Sequence, residues 1–103
     1  MRFLMKVELP IEAGNGAAKN GTLPKKIQAI LDEQKPEAAY FVTSGGKRAA
    51  FICTDLQDAS QIPALAEPWF LAFNASVEFV PAMNLADFMK AGPAIEQAVK
   101  RYG

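Results

Sequence analysis

The stretch Glu37–Asp55, EAAYFVTSGGKRAAFICTD, leaves the backbone the fewest choices. Two runs rich in β-branched and aromatic residues flank Gly45-Gly46. That dipeptide supplies the positive φ that a two-residue hairpin turn requires. The segment is therefore expected to be a β-hairpin. In its first strand Ala39, Phe41 and Thr43 alternate with Ala38, Tyr40 and Val42. In its second, Ala49, Phe51 and Cys53 alternate with Ala50, Ile52 and Thr54. Both faces of both strands are largely apolar, and a strand of that kind is usually covered on both sides.

The rest of the chain fits elements around this hairpin. From Arg2 to Leu9 the pattern alternates strictly, with Phe3, Met5, Val7 and Leu9 on one face, so a strand is expected that ends at Pro10. EAGNGAAKNGT reads as a loop holding at most one helical turn around Ala17 and Ala18. TLPKKIQAILDEQK reads as a helix, with Thr22 as N-cap, Pro24 in the first turn and Pro36 as the stop. The stretch from Asp55 to Phe73 reads as a second helix. Asp58 is one candidate cap, with Gln61 three residues on, and Ser60 is the rival. Pro68 is expected to kink or break this helix near its end. SVEFVPAM is a further strand. NLADFMKAGPAIEQAVKRYG is a third helix, capped by Asn84, favoured by Asp87 in its first turn and split at Gly92-Pro93. Leu85, Phe88, Met89, Ile95, Val99 and Tyr102 form its apolar stripe.

The totals exclude several chemistries. With 103 residues the chain is expected to form one domain, residues 1–103. Acidic and basic residues balance at 11 each, and Lys25-Lys26 and Lys47-Arg48 are pairs rather than tracts, so no nucleic-acid partner is expected. No apolar run approaches a membrane span, and the start of the chain alternates like a strand rather than a signal peptide. A cytoplasmic protein with no membrane partner is expected. The chain has no histidine, which removes the commonest metal ligand and the commonest general base. Cys53 is the single cysteine, so no intrachain disulfide forms. No metal and no cofactor are expected.

The element order is strand, helix, strand, strand, helix, strand and terminal helix. This is the split βαβ pattern of a ferredoxin-like α+β domain, a βαββαβ antiparallel sheet with an extra C-terminal helix. Right-handed crossovers put both inner helices on one sheet face and leave the other bare. A large apolar patch needs a partner, and a second copy is the simplest one, so a homodimer is expected. In order of elements, length and tail helix, the whole chain resembles the dimeric α/β-barrel superfamily. Its members include small cofactor-independent monooxygenases, muconolactone isomerase-like proteins, stress-responsive barrel proteins and many bacterial families without an assigned activity; the resemblance places the chain among the last. Some haem-degrading members are similar in size, but the histidine they use has no counterpart here. Asn74 and Trp69 are residue types found in the polar-aromatic pocket of the cofactor-independent oxygenases, although no motif carries a role over to them.

The candidate site residues follow from these expectations. The helix-free face is expected to carry Leu4, Lys6, Glu8, Arg48, Ala50, Ile52, Thr54, Ser76, Glu78 and Val80, with Lys6 and Glu78 pairing across neighbouring strands. Lys6 and Arg48 are candidate ligand anchors. Glu78, Tyr40 and Glu67 are candidate acid/base groups, set against plainer roles as an ion pair, a packed ring and a solvated carboxylate. Cys53 is expected to be a buried structural thiol. IPALAEPWFLAF, positions 62 to 73, carries an apolar stripe that fits core packing, while Trp69, Phe70 and Phe73 around the expected helix break also suit a pocket wall. Two functions stay open: a dimer that binds a small apolar or aromatic ligand, and a cofactor-independent monooxygenase or isomerase acting on an aromatic or enolisable substrate.

Overall fold

The computed structural model describes all residues from Met1 to Gly103. Its elements are β1 (Arg2–Glu8), α1 (Ile11–Lys19), α2 (Leu23–Gln34), β2 (Ala38–Ser44), β3 (Lys47–Asp55), α3 (Ile62–Phe73), β4 (Ser76–Pro81), α4 (Leu85–Lys90) and α5 (Gly92–Tyr102), with a short 3-10 turn at Ala59–Gln61 before α3. The four strands form one antiparallel sheet in the order β2-β3-β1-β4. The chain is an α+β protein, and this order is consistent with the ferredoxin-like arrangement.

The hairpin forms as its sequence demands. Gly45 and Gly46 take φ of 60° and 76°, and Ser44 stands opposite Lys47. From there the pairing runs on through Phe41 opposite Ala50 and Ala39 opposite Ile52. Across the central pair, Met5 opposes Ile52 and Val7 opposes Ala50, and on the far side Met5 opposes Phe79. These residues share the face on which α1, α2 and α3 lie. Met5, Val7, Ile52, Trp69 and Phe73 are the most deeply buried large side chains of the resulting core. Each contributes roughly 1.5–3 kcal/mol by leaving water.

Three expectations are corrected. EAGNGAAKNGT is not a loop: α1 runs nine residues through both Gly14 and Gly16. Glycine weakens a helix interior, but α1 packs against α2, α3 and β3 and buries Gly14 and Ala17, so tertiary packing outweighs the local preference. Pro68 does not break α3, which continues to Phe73. Proline removes the bond to the carbonyl four residues back, which is Ala64. The Gln34 side chain supplies the replacement, with Nε2 donating to Leu65 O at 2.9 Å and to Ala64 O at 3.4 Å. Finally, the expected phase of β3 was inverted. Arg48, Ala50, Ile52 and Thr54 lie on the helix-covered face, and Lys47, Ala49, Phe51, Cys53 and Asp55 lie on the open one.

Other local signals hold. Asp58 accepts from Ser60 N and forms a capping box with Gln61, and Asn84 forms one with Asp87. Thr22 precedes α2 but makes no side-chain cap; its hydroxyl donates to Asn20 Oδ1 instead. Gly92-Pro93 opens α5, separate from α4, as expected. No helix is long and apolar enough to cross a membrane.

Candidate functional site

The sheet and its three covering helices do not close completely at the β2 edge. Ala50 is small, and it sits between Phe41 on β2 and Val7 on β1. Above it, the first turns of α2 bring Leu23 and Ile27, Leu9 closes one end, and Trp69 of α3 forms the floor. The result is an apolar cavity of about 390 Å³. That lies within the size range of small-molecule sites, which are typically about 300–1,000 Å³. Phe41 stands at its rim and is 56% exposed. Arg48 and Thr43 are the polar side chains of the lining.

Two side chains of the lining stand out. Trp69 is 1% exposed and stacks on Phe73 with ring centroids 6.1 Å apart. Its indole Nε1 is buried and has no acceptor in the protein. Indole N–H is a donor only, and a buried donor left unpaired costs about 1–3 kcal/mol. Gln34 Oε1 is the other buried side-chain atom without a partner, and it belongs to the joint between α2 and α3. The second side chain is Arg48. Its Nη1 donates to Asn15 Oδ1 at 2.8 Å, and no carboxylate lies within 4.0 Å of it. Arg48 is exposed, so its guanidinium is held by a neutral amide and water at the edge of an apolar space, with no carboxylate to displace.

The remaining sequence candidates fall elsewhere. Phe73 is buried in the core behind Trp69, with the Lys26 ammonium 5.8 Å from its ring centroid. Phe70 and Glu67 are exposed on α3, and neither lines the cavity. Asn74 is the left-handed residue that ends α3, at φ 54°. Tyr40, Lys6 and Glu78 lie on the open sheet face. Together with Phe51 they make one row across all four strands, Tyr40–Phe51–Lys6–Glu78. At the usual strand spacing the ends of this row are about 14 Å apart, so Tyr40 and Glu78 do not meet. Lys6 stands opposite Glu78 in register, but its ammonium pairs with Glu8 at 3.6 Å and lies 6.0 Å from the Phe51 ring centroid. Glu78 has no cation within 4.0 Å.

A second polar group occupies another part of the open face. Arg2 Nε and Nη2 grip Glu37 at 3.0 and 3.4 Å, and Arg2 Nη1 lies 3.6 Å from Asp87 of α4. Cys53 Sγ donates to Glu37 Oε2 at 3.4 Å. The hydrogen bonds from Arg2 and then from Cys53 hold the Glu37 carboxyl below its ordinary range. Burial, and then the Glu37 carboxylate, push the Cys53 thiol up. The expected buried thiol is thus half-buried on the open face, with Glu37 keeping it protonated.

Sequence reasoning flagged Trp69 and Arg48 but missed Leu9, Leu23, Ile27, Phe41 and Asn15 as parts of one site. These come from different elements that only tertiary packing brings together. Comparison with protein-family models gives no match, and neither does comparison with curated proteins.

Proposed function

We propose that the protein is a homodimeric small-ligand-binding domain of the dimeric α/β-barrel type. Its cavity takes an apolar or aromatic molecule with an acidic end. The observation that carries this reading is the apolar cavity itself, lined by Leu9, Leu23, Ile27, Phe41 and Trp69, with Arg48 as its one charged side chain. An apolar or aromatic body would pack against Trp69 and Ile27, and an anionic group would meet Arg48. The open sheet face supports the homodimer. Leu4, Tyr40, Val42 and Val80 are exposed there, on a face that no helix covers.

Trp69 is the only tryptophan, so its fluorescence reports on the cavity without labelling. Titration with naphthoate is expected to give a saturable change in Trp69 emission. The methyl ester of naphthoate is expected to bind more weakly by about tenfold, the scale of one charge-assisted hydrogen bond. Arg48→Ala is expected to remove that preference. An emission spectrum that neither compound alters would overturn the cavity reading.

A further inference from the structure

The radius of gyration is 17.2 Å and the longest principal extent is 59 Å. A compact chain of this length has a radius of about 13 Å. The excess comes from the end of the chain. Helix α4 packs against α5, and from Pro93 to Gly103 every residue is exposed. The sequence of this arm is amphipathic all the same. Leu85, Phe88, Met89, Ile95, Val99 and Tyr102 are its apolar positions, and all are exposed, Leu85 at 74% and Val99 at 61%. An isolated helix of eleven residues is marginal in water, so a helix like α5 takes most of its stability from burying its apolar face.

The surface area gives the size of the missing contact. The chain exposes 7024 Å². A compact monomer of its mass exposes about 5,650 Å². The surplus is roughly 1,400 Å² per chain, where a stable interface needs about 800 Å² from each partner. Two copies hiding this surplus would bury close to 2,800 Å², the range of obligate homodimers.

We infer that α4–α5 is an exchanged arm: in the homodimer proposed above, on which this inference rests, each arm lies across the second copy and buries its apolar stripe there. The root of the arm touches its own body, where Asp87 of α4 lies 3.6 Å from Arg2 of β1, while α5 packs chiefly on α4 and is left free for the partner. A second copy offers apolar surface of the right extent in the same molecule, namely the open sheet face, so one association event covers both.

The test replaces the stripe while keeping the helix. Ile95→Glu with Val99→Lys puts an acidic residue four positions before a basic one, a pair that favours helix and leaves the net charge unchanged. Both positions are exposed in the single chain, so Trp69 emission, which reports the folded body, is expected to match the parent protein, while circular dichroism is expected to lose no more than the signal of α5. By sedimentation velocity the parent chain is expected to be a dimer, and the double variant is expected to dimerise at least roughly a hundredfold more weakly, the scale of losing central apolar anchors. Hydrogen exchange of the native chain supplies a second readout. The α5 amides are expected to become protected as protein concentration rises. A variant that dimerises as tightly as the parent, or α5 amides whose exchange ignores concentration, would sink the exchanged arm while leaving a sheet-covered dimer standing. A parent chain that stays monomeric at every concentration would overturn both.

Discussion

Gln34 does more than close α2. Its amide donates to the carbonyls of Ala64 and Leu65, where Pro68 has taken away an intrahelical donor. These bonds offset part of what proline ordinarily costs a helix, about 3 kcal/mol, and the burial of Trp69 and Phe73 beyond it supplies more. Gln34→Leu is expected to lower stability by about 0.5–1.5 kcal/mol, since the exposed Ala64 and half-buried Leu65 carbonyls would lose the amide but not all contact with water. Urea unfolding followed by Trp69 emission measures the change, and an unaltered midpoint would show that the amide contributes nothing. The proline itself was legible in the sequence, and so was its usual effect. The compensation was not, because the two residues are far apart in the chain and meet only when α2 packs beside α3. Asn74 shows the same limit: as a residue type it suits a polar pocket, yet its place in the fold is a helix end.

Among the elements, the hairpin is the most strongly determined by local chemistry. Both turn glycines have positive φ, and nothing lies within 4 Å of where a Cβ would stand on either. The cost of a side chain there is therefore backbone strain alone. Gly46→Ala is expected to cost about 1–2 kcal/mol by the same urea measurement. A variant as stable as the parent would mean that the turn had relaxed to another type. Strand existence and the turn were readable because alternation and Gly-Gly are local signals. The phase of β3 against β1 was not, because Ala49, Phe51 and Cys53 are nearly as apolar as Ala50, Ile52 and Thr54. A one-residue slip exchanges the two sets, and the Met5–Ile52 packing decides between them. Helix α1 was missed for a related reason: its glycines argue against helix locally, and the packing on α2, α3 and β3 that holds it is tertiary.

For the molecule as a whole, pH links the open face to stability. The folded-state pKa of Glu37 is lowered, chiefly by its hydrogen bond from Arg2. Its contribution is thus full above the ordinary carboxylate range and fades as pH falls through the lowered value. The groups are solvent-facing, so salt should weaken the effect. Glu37→Gln is expected to flatten the acid side of the stability profile, read from urea midpoints across a pH series at low salt. An acid limb identical to that of the parent would remove Glu37 as its source. The bridging amide of Gln34 also bears on how the whole domain opens. A fluctuation that lifts α2 from the sheet withdraws the donor from α3 at its proline and unroofs the cavity above Trp69 at the same time. Widening of the cavity beyond its opening at the β2 edge and loosening of α3 are therefore coupled, and a molecule seated against Trp69 and Ile27 would slow both.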